Sequence, residues 1–134
     1  MTDEPRDYDR EYTAHVPVRP QRARRRLGID IERGQVQRFV VQLEYRLTPD
    51  DDDWATVVRY DHDSKGSDEA THDVTEEGLH IDVYRDGEKV DSHELTPPIP
   101  ANRALTAAED HLKEHLNGYI RRFEQWHGIN GSGP

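Results

Sequence analysis

From Gln37 to Leu47 the side chains follow a two-residue period, which commits this stretch to a half-buried β-strand. Phe39, Val41, Leu43, Tyr45 and Leu47 fall on one side, and Arg38, Val40, Gln42, Glu44 and Arg46 on the other. An apolar sheet face is stable only when a second layer removes it from water. The chain supplies that layer near its end. Leu105, Ala108, Leu112, Leu116, Tyr119, Ile120, Phe123 and Trp126 recur at spacings of three and four, the stripe of an amphipathic helix. Thr106 and Glu109 fit a capping box, and a start near Asn102 fits equally well. Gly118 inside this helix costs about 1 kcal/mol relative to alanine, which predicts a bend or close packing there.

Further strands follow from the same pattern. Pro49 and Asp50–Asp53 make a turn without the spaced ligands and central glycine of a calcium loop. Trp54 to Asp61 is rich in β-formers, Ser64 to Thr71 is a polar loop, and Leu79, Ile81 and Val83 alternate with His80, Asp82 and Tyr84. Asp86-Gly87 supplies a tight hairpin turn into Glu88–Leu95, and Pro97, Pro98 and Pro100 end the sheet. The expected fold is α+β, with an antiparallel sheet of about four strands packed on one long C-terminal helix. Residues 1–27 read as a flexible, extended, arginine-rich arm, 28–127 as the α+β domain, and 128–134 as a flexible tail.

Charge is distributed unevenly. Residues 1–46 carry ten Arg and eight Asp/Glu, a net of +2, whereas residues 47–134 carry eight Lys/Arg and twenty Asp/Glu, a net of −12. Arg19, Arg22, Arg24, Arg25 and Arg26 supply the basic excess. They suit a phosphate backbone, an acidic partner protein, or the acidic body of the same fold. With 15 arginines against three lysines and a net charge of −10, the surface resembles that of haloarchaeal proteins. In molar salt the Debye length shrinks to about 3 Å, so repulsion among carboxylates is screened. Absence of cysteine excludes disulfides and thiolate metal sites. No signal peptide and no membrane span is legible, so the cytoplasm is the expected compartment. No P-loop, G-x-S-x-G or G-x-G-x-x-G occurs, and no cofactor is expected. Nothing in the sequence specifies an oligomeric state.

Strand alternation predicts a candidate site. With Leu79, Ile81 and Val83 facing the helix, His80, Asp82 and Tyr84 emerge on the opposite face. With Val58 and Tyr60 inward, Arg59 and Asp61 join them. Histidine, carboxylates and arginine on one face are the parts of a metal-free phosphodiesterase: a base, an acid and a cation for the pentavalent phosphate. The alternative is a solvated face, common in antiparallel sheets. Two metal readings compete. His111-Leu112-Lys113-Glu114-His115 has the H-x-x-E-H spacing of certain zinc peptidases, and His72, Asp73, His80 and Asp82 offer N and O ligands for zinc or manganese.

The tract Trp54-Ala55-Thr56-Val57-Val58-Arg59-Tyr60-Asp61, then His72-Asp73, then Gly78-Leu79-His80-Ile81-Asp82-Val83-Tyr84, resembles a group of small haloarchaeal proteins. These are in turn similar to the TumE-like toxins of type II toxin–antitoxin pairs. The resemblance spans roughly two-thirds of the chain, from Phe39 to Trp126. It departs from the toxin pattern after Asp61, where paired histidines are missing. It implies a small toxin-like protein, partnered by an antitoxin, that acts on RNA as a metal-independent ribonuclease. Arg59 and Asp61 map to the strand motif, and His72 and His80 to the histidines of the site. His80 is then base or acid, Arg59 stabilises developing charge, and Asp61 or Asp82 orients the imidazole. The second expectation is a non-catalytic interaction domain that binds protein or nucleic acid through the arginine arm; a metal-dependent hydrolase is the third.

Overall fold

The computed structural model describes residues 8–17, 19–48, 50, 53–64 and 72–128. In chain order the elements are β1 (Arg10–His15), β2 (Ala23–Glu32), β3 (Gln35–Tyr45), β4 (Ala55–Asp63), α1 (Val74–Glu77), β5 (His80–Arg85), β6 (Glu88–Glu94) and α2 (Ala101–Trp126). The strands form one six-stranded antiparallel sheet in sequential order, β1 to β6. Two hairpins turn on residue pairs in the left-handed region. Asp86 (φ 54°) and Gly87 (φ 81°) do so between β5 and β6, and Arg33 (φ 52°) and Gly34 (φ 78°) between β2 and β3. Such turns match the twist of the strands they join.

The expected count of about four strands is corrected to six, because Arg10–His15 and Ala23–Glu32 both pair into the sheet. The flexible arm expected over 1–27 therefore does not hold for its described residues. Val16 and Ala23 are fully buried. The arginines of β2 look solvated in sequence, yet their partners are acidic side chains on neighbouring strands. Arg24 donates to Glu44 (2.6 Å) and Arg26 pairs with Glu11 (3.2 Å). Residues 1–7 and 18 of that arm lie outside the described residues, as does the expected tail beyond Gly128.

The helix α2 takes the earlier of the two starts. It follows Pro100 directly, and no side chain caps it. Asn102 instead ties the helix to the β2–β3 turn: its Oδ1 accepts the Val36 N–H (3.0 Å) and its Nδ2 donates to the Gly34 carbonyl (3.1 Å). Ala104, Ala108, Leu112, Ile120 and Phe123 then bury one stripe against β3 and β4. Near its end the buried Glu124 accepts from the Tyr45 hydroxyl (2.6 Å) and from Arg19 Nε (3.0 Å). Close packing expected at Gly118 is absent; nothing lies within 4 Å of where its Cβ would stand. No described helix is long and apolar enough to cross a membrane.

Register decides the facing of every side chain. Val41 opposes Tyr60, Leu43 opposes Val58, and Arg59 opposes Asp82. The β3–β4 register shift lies between Leu43 and Glu44, on the Trp54 side of Val58. Everything from Val58 to Asp63 therefore keeps simple alternation. Val58 and Tyr60 face α2, and Arg59 and Asp61 emerge on the other, open side.

Candidate functional site on the open sheet face

The open face carries a continuous chain of charged and polar side chains, many of them buried. Arg24 donates to Glu44 Oε1 (2.6 Å), and Gln42 Nε2 donates to Glu44 Oε2 (2.6 Å). Arg59 reaches Gln42 through Nη1 (3.2 Å) and Asp61 Oδ2 through Nε (2.7 Å). The other oxygen of Asp61 accepts the backbone N–H of His72 (3.0 Å). Asp61 and Asp82 are 1% and 0% exposed, so each carboxylate depends on these partners for its charge to be tolerated.

His72 is the hub. The Asp63 N–H donates to the His72 carbonyl (2.9 Å), which holds the residue beside the end of β4. Its Nε2 lies 3.2 Å from both oxygens of Asp82 and its Nδ1 lies 3.1 Å from Glu77 Oε1. The Asp82 hydrogen bond, assisted by Glu77 against the effect of burial, pushes the His72 pKa up to about 9. At neutral pH His72 is an imidazolium that donates from both nitrogens. Burial would raise Asp82, yet the His72 and Ser92 hydrogen bonds and the charges of His72 and Lys89 hold its carboxyl below the usual range. The His72 hydrogen bond likewise lowers Glu77. Ser92 Oγ (2.7 Å) and Lys89 Nζ (3.2 Å) complete the shell of Asp82.

His80 stacks on His72, with ring centroids 4.6 Å apart and planes 5° from parallel. Its Nδ1 donates to the Gly78 carbonyl (3.2 Å), which fixes the ring's orientation and leaves Nε2 outside that bond. For Arg59, burial acts against the charge, but the adjacent Asp61 more than compensates and keeps the guanidinium ionised. Nη2 of Arg59 makes no hydrogen bond among the described residues. Tyr84, on the same face, has its hydroxyl pKa raised by burial despite the nearby Arg59 and Lys89.

Thus Arg59, Asp61, His72, His80 and Asp82 all come together on the side away from α2. The internal pairing differs from expectation in one respect. Asp82 orients His72 rather than His80, and Asp61 holds Arg59 and the His72 backbone. Glu77, Lys89, Ser92 and Gln42 were not singled out in sequence. Glu77 belongs to α1, which was also missed. Asp73 caps that helix through the Thr75 N–H (3.0 Å), and Glu76 three residues on completes a pattern that marks a helix start.

The five arginines expected to bind a partner do not form one patch. Arg24 and Arg26 lie on the open face, Arg24 stacking over the Trp54 ring at 4.0 Å. Arg19 is paired with Glu124, and Arg22 sits beside the Tyr45 hydroxyl. Arg25 is exposed near Glu109. The acidic body of the same fold takes Arg19, Arg24 and Arg26. The H-x-x-E-H pair also has other engagements. His111 Nδ1 lies 2.8 Å from the Tyr60 hydroxyl, and burial and His115 lower its pKa. Among the described residues, His111, Glu114 and His115 form no group of three potential ligands.

No curated protein matches the chain, and no solved structure does. A family model described as "Domain of unknown function (DUF7718)" matches residues 6–129, and the chain belongs to that family.

Proposed function

We propose that the protein acts on RNA through this open face, as a toxin-like, metal-independent ribonuclease paired with an antitoxin. The observation that carries the reading is an imidazole held through its Nδ1–H, His80, on the same face as a guanidinium, Arg59, whose Nη2 is free among the described residues. In the reaction the 2′-hydroxyl of one ribose attacks the adjacent phosphorus. His80 Nε2 takes the hydroxyl proton, the new O2′–P bond forms, and the P–O5′ bond breaks. The products are a 2′,3′-cyclic phosphate and a 5′-hydroxyl, the latter receiving the proton. Arg59 holds the non-bridging oxygens as negative charge builds on them. The His72 imidazolium adds a second positive charge beside the phosphate. Asp61 and Asp82 hold these cations in place and do not touch the substrate.

Acid–base groups contribute about 10²–10⁴ in rate, and loss of a charge-stabilising donor costs about 10²–10³. The acidic, lysine-poor composition supports the companion reading that the protein works in a salt-rich cell. Expression without the neighbouring antitoxin gene tests the proposal. Growth arrest is expected for the natural chain and relief for His80→Ala or Arg59→Ala at equal protein level. Arrest that persists unchanged in both variants overturns it.

A further inference from the structure

We infer that His72, Glu77 and His80 form a binding site for a divalent transition metal of the zinc class. Each offers one ligand atom, and these atoms lie within 4.8 Å of one another. The second observation is the way each imidazole is held. A metal-bound histidine almost always donates its other ring N–H to a carboxylate or a backbone carbonyl, which fixes the ring and the tautomer. His72 gives Nε2 to Asp82 (3.2 Å), and His80 gives Nδ1 to the Gly78 carbonyl (3.2 Å). That leaves Nδ1 of His72 and Nε2 of His80 as the ligand atoms. Asp82 is itself locked by Ser92 and Lys89.

Glu77 is prepared in the same way. Its Oε2 accepts the Asp73 N–H (3.0 Å), which orients the carboxylate and turns Oε1 toward His72. An ion would replace the proton shared by His72 Nδ1 and Glu77. Two imidazoles and one carboxylate suit zinc better than magnesium or calcium, and three protein ligands leave one position for water. Bonds of about 2.1 Å in a tetrahedral site put ligand atoms about 3.4 Å apart. Closing to that spacing draws the three groups in by up to about 1.4 Å, and because each nitrogen lone pair lies in its ring plane, one of the two imidazoles must turn well out of the 5° stack to face the same ion.

This site stands apart from the ribonuclease reading, since it needs no RNA. Where both hold, zinc occupies the nitrogen that takes the 2′-hydroxyl proton, so zinc suppresses cleavage.

Zinc titration of the full chain followed by calorimetry, with cobalt(II) as a visible reporter of ligand geometry, is the test. One zinc per chain is expected, with a cobalt spectrum of tetrahedral intensity. Glu77→Gln and His80→Gln should each weaken binding by roughly tenfold or more, and Asp82→Asn by a comparable factor through His72. His111→Ala with His115→Ala should leave it unchanged. Glu77 is exposed, so its variant keeps the fold, as circular dichroism will verify. Absence of stoichiometric zinc, or loss of binding in the His111/His115 variant alone, overturns the site. Zinc that binds there and stimulates cleavage retains the site and overturns the metal-independent reaction instead.

Discussion

Asp61 grips Arg59 with one carboxylate oxygen at 2.7 Å and the backbone of His72 with the other at 3.0 Å. A single buried side chain on β4 thus sets both the cation of the candidate site and the start of the segment that carries its histidine. Removing one partner of a buried pair leaves an uncompensated charge, which costs about 3–5 kcal/mol. Arg59 retains some exposure, with 21% of its side chain open to solvent, so the lower end applies. Asp61→Ala should destabilise the fold by about 3 kcal/mol, read as a fall in the urea midpoint with unchanged slope.

The exposed helical position Gly118 has the opposite outlook. Its φ is not in the left-handed region, and a Cβ there meets nothing within 4 Å. Alanine removes backbone entropy from the unfolded chain and adds no clash. Gly118→Ala should raise stability by about 0.5–1 kcal/mol, measurable as a higher melting temperature.

His62 makes the fold sensitive to acid. It is 1% exposed, and its Nδ1 accepts the Val74 N–H (3.0 Å), which requires the neutral ring. Burial holds its pKa below 6.5, against the pull of nearby aspartates. A depressed folded pKa contributes stability that is present above pH 6.5 and is lost as pH falls through the folded value. His72 is shifted upward and contributes in the opposite sense, so a difference measurement isolates His62. Between pH 7.5 and 5, stability of the natural chain should fall relative to His62→Gln, which offers an acceptor but does not titrate.

Deletion of residues 1–27 separates a flexible arm from a structural one. It removes β1 and the first five residues of β2, including fully buried Val16 and Ala23, and the Arg19–Glu124 contact. The shortened chain should lose its cooperative unfolding transition. A shortened chain that unfolds at the same temperature as the whole would restore the arm.

The facing of the site was legible because β4 and β5 alternate cleanly and no bulge falls between Val58 and Asp63. The Asp86-Gly87 hairpin and the apolar stripe of α2 were equally plain in the chain. The first two strands were not. Leu27, Ile29 and Ile31 carry the period in β2, but Arg24, Arg25 and Arg26 hide it, since pairing with Glu44 and Glu11 is tertiary information. The turn at Arg33-Gly34 has arginine where asparagine or aspartate would have announced it. Roles within the site were also hidden. Which carboxylate serves which imidazole depends on the short helix α1, whose four residues give too little periodicity to be seen.

Cleavage of a defined RNA by the purified chain in the presence of EDTA decides whether the open face is a ribonuclease site. Products ending in 2′,3′-cyclic phosphate are expected, with resistance of a substrate carrying 2′-deoxyribose at the cleaved position and loss of about 10² or more in rate for His80→Ala with the fold retained. Equal cleavage by the natural chain and His80→Ala, or intact RNA with both, would contradict it.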